Sequence, residues 1–217
     1  PNIACITSMD ADHLDIYGTK SNLEKAFKKF SKLISSDDKL FVHASVCLPG
    51  LSYAVETPAD FVAQNVRNIN GAYEFDLKTP TRILKNLRFY LPGKHNLSNA
   101  VVALAMAMEC GCNDSDLRLA LETYLGVERR FSYKIKNESF VFIDDYAHHP
   151  KEIDAVWDAV SEMYPKKNIT VVFQPHLFTR TLDFADAFAS SLSKFDAVLL
   201  LDIYPAREEP IHGVTSD

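Results

Sequence analysis

"FVFIDDYAHHPKEIDAVWDAV", residues 140–160, decides how the chain is read. It opens on four apolar residues, passes two carboxylates, a tyrosine and two adjacent histidines, and then takes on a helical period. Ile153, Val156, Trp157, Val160 and Tyr164 fall at i, i+3, i+4, i+7 and i+11, one face of an amphipathic helix. Pro150 suits the first helical position, which makes His149 the N-cap residue. A short apolar run feeding such a helix predicts a parallel strand covered on both faces.

The pattern occurs twice more. "NIACIT" leads through "SMDADHLDIYG" to a helix predicted near residues 21–35, with Leu23, Ala26, Phe27, Phe30 and Ile34 on one face. "ITVVF" leads through a loop, "QPHLFTRT", to a helix with Phe184, Phe188, Leu192 and Phe195 inward, and "AVLLLDIYP" fits the same sheet. Residues from about 131 onward therefore read as a Rossmann-like α/β unit. Residues 40–92 hold short β-rich runs broken by Pro, Gly and Asn, which predicts antiparallel strands or hairpins. Two helices follow. "HNLSNAVVALAMAMECG" is stopped by Gly111 at C′, and "SDLRLALETYLG" has Ser115 as N-cap and Gly126 as its stop. A joint near residues 126–132 divides the chain into 1–128 and 129–217.

A net charge of −6 and a pI near 5.6 argue against binding to nucleic acid or an anionic membrane, which needs a basic face. No apolar run approaches the roughly 20 residues of a membrane span, and no secretory signal is present, so a cytoplasmic setting is expected. Cys5, Cys47, Cys110 and Cys112 show no metal-site spacing and read as reduced core thiols. The first residues, "PNIACIT", already lie in a strand-like run without Met, and the last follow directly on another strand. The chain is therefore expected to be an interior piece of a longer protein.

Ligands of open parallel sheets bind at the carboxyl ends of strands, and the polar clusters sit at such ends. Five of the seven histidines, His13, His95, His148, His149 and His176, fall at loop junctions. Asp10, Asp12, His13 and Asp15 lie close enough in sequence for a magnesium site or for helix capping. The loop before Pro150 faces a helix N-terminus, which attracts phosphate or carboxylate near Asp145, Tyr146 and His148; a polar strand-to-helix turn accounts for it equally. Arg180 suits bidentate anion binding or a helix-face salt bridge. Asn96 and Asn99 could read a nucleobase edge or cap a helix. Arg129 and Arg130 could hold phosphate or pair with Glu122 and Glu128.

"TSMDADHLDIYG", "LPGKHNLSNAVVALAMA", "GVERRF", "DDYAHHPKEI", "FQPHLFTRT" and "DIYPAREEPI" occur in this order, and together they resemble the Mur ligases of peptidoglycan synthesis. The last three carry most of the specificity. The resemblance implies an α/β fold: part of a P-loop-type ATP-binding domain with a β-rich section, then part of a Rossmann-like C-terminal domain. It implies an ATP-dependent, amide-forming ligase that activates a carboxylate as an acyl phosphate for attack by an amino acid. The matching branch joins L-alanine to the carboxylate of UDP-N-acetylmuramate.

By the same resemblance His13 ligates Mg2+, and His95, Asn96 and Asn99 line the adenine site of ATP. Arg130 and Asp145 contact ATP at phosphate and ribose. Tyr146, His148, His149, His176 and Arg180 face the amino acid and the muramoyl carboxylate. His148 and Arg180 are the catalytic candidates, His148 as acceptor of the ammonium proton. Three departures stand out: no G-x-x-G-K-[ST] P-loop occurs in the chain, position 177 is Leu where many relatives have Arg, and the C-terminal part stops after its third strand. These residues alone are therefore expected to be inactive. Lys28 is read as a solvated helix lysine. Other readings are a peptidoglycan-recycling ligase that adds a tripeptide, a metal-dependent phosphohydrolase built on His13, His148 and His176, and a non-catalytic nucleotide-binding module.

Overall fold

Strand order follows chain order in the first of two compact units, Pro1–Leu125 and Gly126–Asp217. The computed structural model describes residues 1–10, 14–69 and 72–216. The first unit's sheet runs β1 (Ala4–Ile6), β2 (Leu40–His43), β3 (Leu51–Val55), β4 (Phe61–Ile69), β5 (Ala72–Lys78) and β6 (Ile83–Phe89). β1 to β4 pair in parallel, and β4 to β6 are antiparallel.

The expectation of antiparallel pairing across residues 40–92 thus fails for β2–β3 and β3–β4. The β3–β4 connection is much shorter than a crossover helix. Across it the Asp60 carboxylate accepts both the Ser52 N–H at 2.8 Å and the Ser52 hydroxyl at 2.6 Å. Before β3, Gly50 adopts φ +133°, and a Cβ placed there would lie 2.5 Å from the Leu40 carbonyl oxygen. Only glycine fits that approach.

Among the described residues, four α-helices complete this unit: α1 (Leu14–Tyr17), α2 (Lys20–Ser31), α3 (Lys94–Glu109) and α4 (Asp114–Thr123). α2 ends before residue 35; within it Phe30 is exposed rather than inward and Lys28 lies in solvent, while Ile34 beyond it reaches a small core with Ala4, Ile6, Leu40 and Val42. α3 is apolar nearly all round because it is buried against the sheet. Its Leu97 and Val101 pack in one core with Phe41, Tyr53, Phe75, Leu77 and Leu87. Each such side chain contributes about 1.5–3 kcal/mol of burial. Gly111 follows α3 at φ +86°, as read. The N-cap of α4 is Asn113 rather than Ser115, because Asn113 Oδ1 accepts the Asp116 N–H at 3.0 Å. The core-thiol expectation holds in part for Cys5, which is half-buried; Cys47, Cys110 and Cys112 lie on exposed loop and helix-end positions.

In the second unit β7 (Ser132–Lys136) and β8 (Val141–Asp144) form an antiparallel hairpin, and β9 (Thr170–Phe173) pairs in parallel with β10 (Ala197–Leu200). β8 was read as a parallel strand. Its partner is instead its own predecessor, because Asn137 closes a tight turn, its side chain accepting the N–H groups of Ser139 and Phe140. The helices are α5 (Pro150–Met163), α6 (Phe178–Asp183) and α7 (Ala185–Leu192). The single helix expected after "QPHLFTRT" is therefore two, broken where Phe184 leaves helical geometry at φ −120°, ψ 18°. Ile153, Phe173, Phe188, Leu192 and Phe195 form the core, and Trp157 meets Phe195 edge-on. β10 is exposed along its whole length.

Candidate active site

The turn from β8 to α5 is built by carboxylates that accept main-chain N–H groups. Asp145 accepts the Phe131 N–H and the Ala147 N–H, each at 2.8 Å. The Tyr146 N–H donates to the Arg129 carbonyl at 2.8 Å. Both ties hold a segment in which Arg129 and Phe131 take left-handed φ values of 60° and 50°. Arg129 lies 4.8 Å from the centre of the Tyr146 ring and Arg130 5.7 Å, so two guanidiniums flank one exposed aromatic face.

α5 begins as read, with His149 as N-cap and Pro150 at the first position. Glu152 closes a capping box: its Oε2 accepts the N–H of His148 at 2.9 Å and of His149 at 3.2 Å. His149 Nδ1 accepts the Lys151 N–H, which leaves the proton of the neutral ring on Nε2, a buried atom with no hydrogen-bond partner among the described residues. The ring itself packs edge-on against Phe184 at 4.9 Å. His148 Nδ1 lies 2.8 Å from the Tyr146 carbonyl and 3.3 Å from Glu152 Oε2. Both neighbours are acceptors, so Nδ1 carries a proton, and in the neutral ring Nε2 holds the lone pair. Glu152 also faces Arg130 at 3.7 Å.

At the end of β9, the His176 ring stacks on Tyr204 at 5.6 Å and meets His148 edge-on at 6.3 Å. Burial, then the charges of Arg180, His148 and Arg207, pulls the His176 imidazole below its ordinary range, against a smaller opposite pull from Glu208. His176 is therefore neutral at pH 7. Arg180 lies within α6 rather than in the loop where it was expected, because the helix begins at Phe178, and its side chain is 7% exposed.

Arg130, Asp145, Tyr146, His148 and His149 are thus tied together by the β8–α5 turn, and His148 links them to His176. In the first unit His95, Asn96 and Asn99 share the opening turns of α3. Asn96 donates its side-chain amide to the Pro92 carbonyl at 2.6 Å, and Asn99 is exposed. His13 lies outside the described residues. Among the described residues no three His, Cys, Asp or Glu side chains gather as a metal-binding group. The sequence expectations leave out two carboxylates that contact the candidate site segments, Glu152 at His148 and Glu208 at Thr179. The signal for Glu152 was its place three residues after an N-cap, hidden because that cap is a histidine rather than Ser or Thr.

A mixed-sheet unit followed by an α/β unit, with imidazoles and guanidiniums at its strand ends, defines a two-unit α/β protein. Residues 1–107 match the Mur ligase middle domain and residues 129–215 the Mur ligase, glutamate ligase domain. The chain belongs to the Mur ligase family. Over 216 residues it is 61% identical to the UDP-N-acetylmuramate–L-alanine ligase of Christiangramia forsetii, and 55% identical to that of Flavobacterium psychrophilum. Each alignment covers 100% of this chain and 48% of the relative, so the chain spans about half the length of the curated relatives it matches. The crystal structure of UDP-N-acetylmuramate-alanine ligase from Thermotoga maritima superposes with a TM-score of 0.73 at 25% identity, covering 92% of this chain and 46% of that one. No helix among the described residues is long and apolar enough to cross a membrane.

Proposed function

We propose that this chain is part of an ATP-dependent ligase that joins L-alanine to the carboxylate of UDP-N-acetylmuramate through an acyl phosphate. The observation that carries the reading is 61% identity to such an enzyme along the whole chain. Such a ligase uses ATP with Mg2+ and suits a cytoplasmic setting. In this reading His95, Asn96 and Asn99 bind adenine, Arg130 and Asp145 bind ATP phosphate and ribose, and His13 ligates Mg2+. Tyr146, His148, His149, His176 and Arg180 face the amino acid and the activated carboxylate.

The geometry of the second unit supports the assignment of labour. The reaction gathers negative charge on the acyl phosphate and tetrahedral intermediate, and a buried guanidinium such as Arg180 stabilises that charge more strongly than one in water. The incoming ammonium must lose a proton before attack. His148, with Nδ1 directed at the Tyr146 carbonyl and Glu152, presents the lone pair of Nε2 to accept it. Neutral His176 adds no positive charge to repel the ammonium.

The test is ADP release by the full-length protein with ATP, Mg2+ and UDP-N-acetylmuramate, comparing L-alanine with the tripeptide. Turnover that depends on L-alanine is expected. Preference for the tripeptide would transfer the protein to the recycling branch, and release of phosphate without amide formation would overturn the reading.

A further inference from the structure

"DIYPARE", residues 202–208, belongs to a family motif to which the reading above gives no task. In the structure this return segment is hydrogen-bonded to Gln174, Pro175, Leu177 and Thr179. Gln174 Nε2 donates to the Asp202 carbonyl at 3.1 Å, the Tyr204 N–H to the Pro175 carbonyl at 2.8 Å, and the Leu177 N–H to the Tyr204 carbonyl at 2.9 Å. The Tyr204 ring underlies His176. Glu208 then accepts twice from one residue: the Thr179 N–H at 3.1 Å and the Thr179 hydroxyl at 2.6 Å.

The place of that last contact matters. α6 has six residues, too few to persist without help. Its N-cap is Leu177, in a left-handed conformation at φ +73°, and the apolar Leu177 side chain makes no capping hydrogen bond. Thr179 is the second helical residue, whose N–H an N-cap side chain ordinarily receives. Glu208 fills that role from twenty-nine residues further along the chain, and its negative charge sits at the favourable end of the helix. The next residue is Arg180. We infer that Glu208 is a positioning residue: by capping α6 from outside it sets where Arg180 and His176 stand. This rests on the proposed ligase reading only for its effect on turnover.

The experiment uses the full-length protein with Glu208→Ala, Glu208→Gln, Thr179→Val and the double variant. Amide hydrogen exchange of residues 178–183 and the NMR titration of the His176 ring are read beside steady-state kinetics. Glu208→Ala should speed exchange in α6 by about tenfold or more, as loss of a charged acceptor implies, with the α3 amides unchanged. It should shift the His176 titration to lower pH and lower kcat, with the KM for ATP little changed. Glu208→Gln, which keeps one acceptor, should recover part of each effect, and the double variant should be no worse than Glu208→Ala. Unchanged α6 exchange in Glu208→Ala, or multiplying effects in the double variant, would overturn the inference. Wild-type protein without ligase turnover would sink the ligase reading alone, since exchange and titration still decide the role of Glu208.

Discussion

Glu152 holds His148 from two directions: its Oε2 accepts the His148 N–H at 2.9 Å and lies 3.3 Å from the same residue's Nδ1. One carboxylate thus fixes both the backbone and the ring of the candidate base. Glu152→Ala should cost about 1–2 kcal/mol through the lost capping box, and should reduce kcat further by freeing the imidazole. Glu152→Gln keeps an acceptor and should retain more of both. Thermal unfolding and kcat of the full-length variants check this; an alanine variant with wild-type kcat would remove Glu152 from the site.

Gly50 makes a sharper prediction in the first unit. A Cβ at this position meets the Leu40 carbonyl oxygen at 2.5 Å, and φ +133° is closed to other residues. Neither strain can relax without moving β2. Gly50→Ala should therefore destabilise by about 2–4 kcal/mol, read as a lowered urea midpoint. A midpoint equal to wild type would show that the β2–β3 approach is looser than described.

His176 makes stability depend on pH with a definite sign. Its folded form resists protonation, while the unfolded chain takes the proton near its ordinary value of 6.5. Above that value neither state is protonated, and the residue contributes no slope. Below it the unfolded state binds the proton first, so stability falls with pH until the folded ring titrates. His176→Asn should lose less stability than wild type between pH 7.5 and 5.5. Equal losses in urea titrations of the two proteins would contradict this.

Leu177 sets two effects against each other. Its left-handed backbone costs about 1–2 kcal/mol, which glycine would relieve. The side chain is 5% exposed, and removing it forfeits about 2–3 kcal/mol of burial. Burial wins. Leu177→Gly should destabilise by about 1 kcal/mol overall, and a variant more stable than wild type by calorimetry would reverse the order.

Legibility in the sequence followed the range of the interactions. The N-cap His149 and Pro150 were readable because a cap is settled within one turn of chain, and the Gly111 stop for the same reason. Asn113 was missed as the α4 cap although the cue was local, a carboxamide three residues before Asp116. Other misses had distant causes. The β-rich section resembles hairpins by composition, but β3 and the start of β4 are tied by a carboxylate at Asp60 reaching back to Ser52. Arg180 was placed in a loop because the residue that stabilises its helix, Glu208, lies far along the chain. The chemistry-bearing types were visible in the motifs; the carboxylates that aim them were not.

β10 carries a practical consequence. Val198, Leu199 and Leu200 are 38%, 58% and 46% exposed on a strand that, among the described residues, pairs only with β9. Such a surface recruits further strands from its surroundings, and other copies of the same polypeptide are the nearest supply. Melting points and scattering masses recorded on these 217 residues will therefore drift with how much protein is in the tube, and only a dilution series extrapolated to zero will report on the individual molecule.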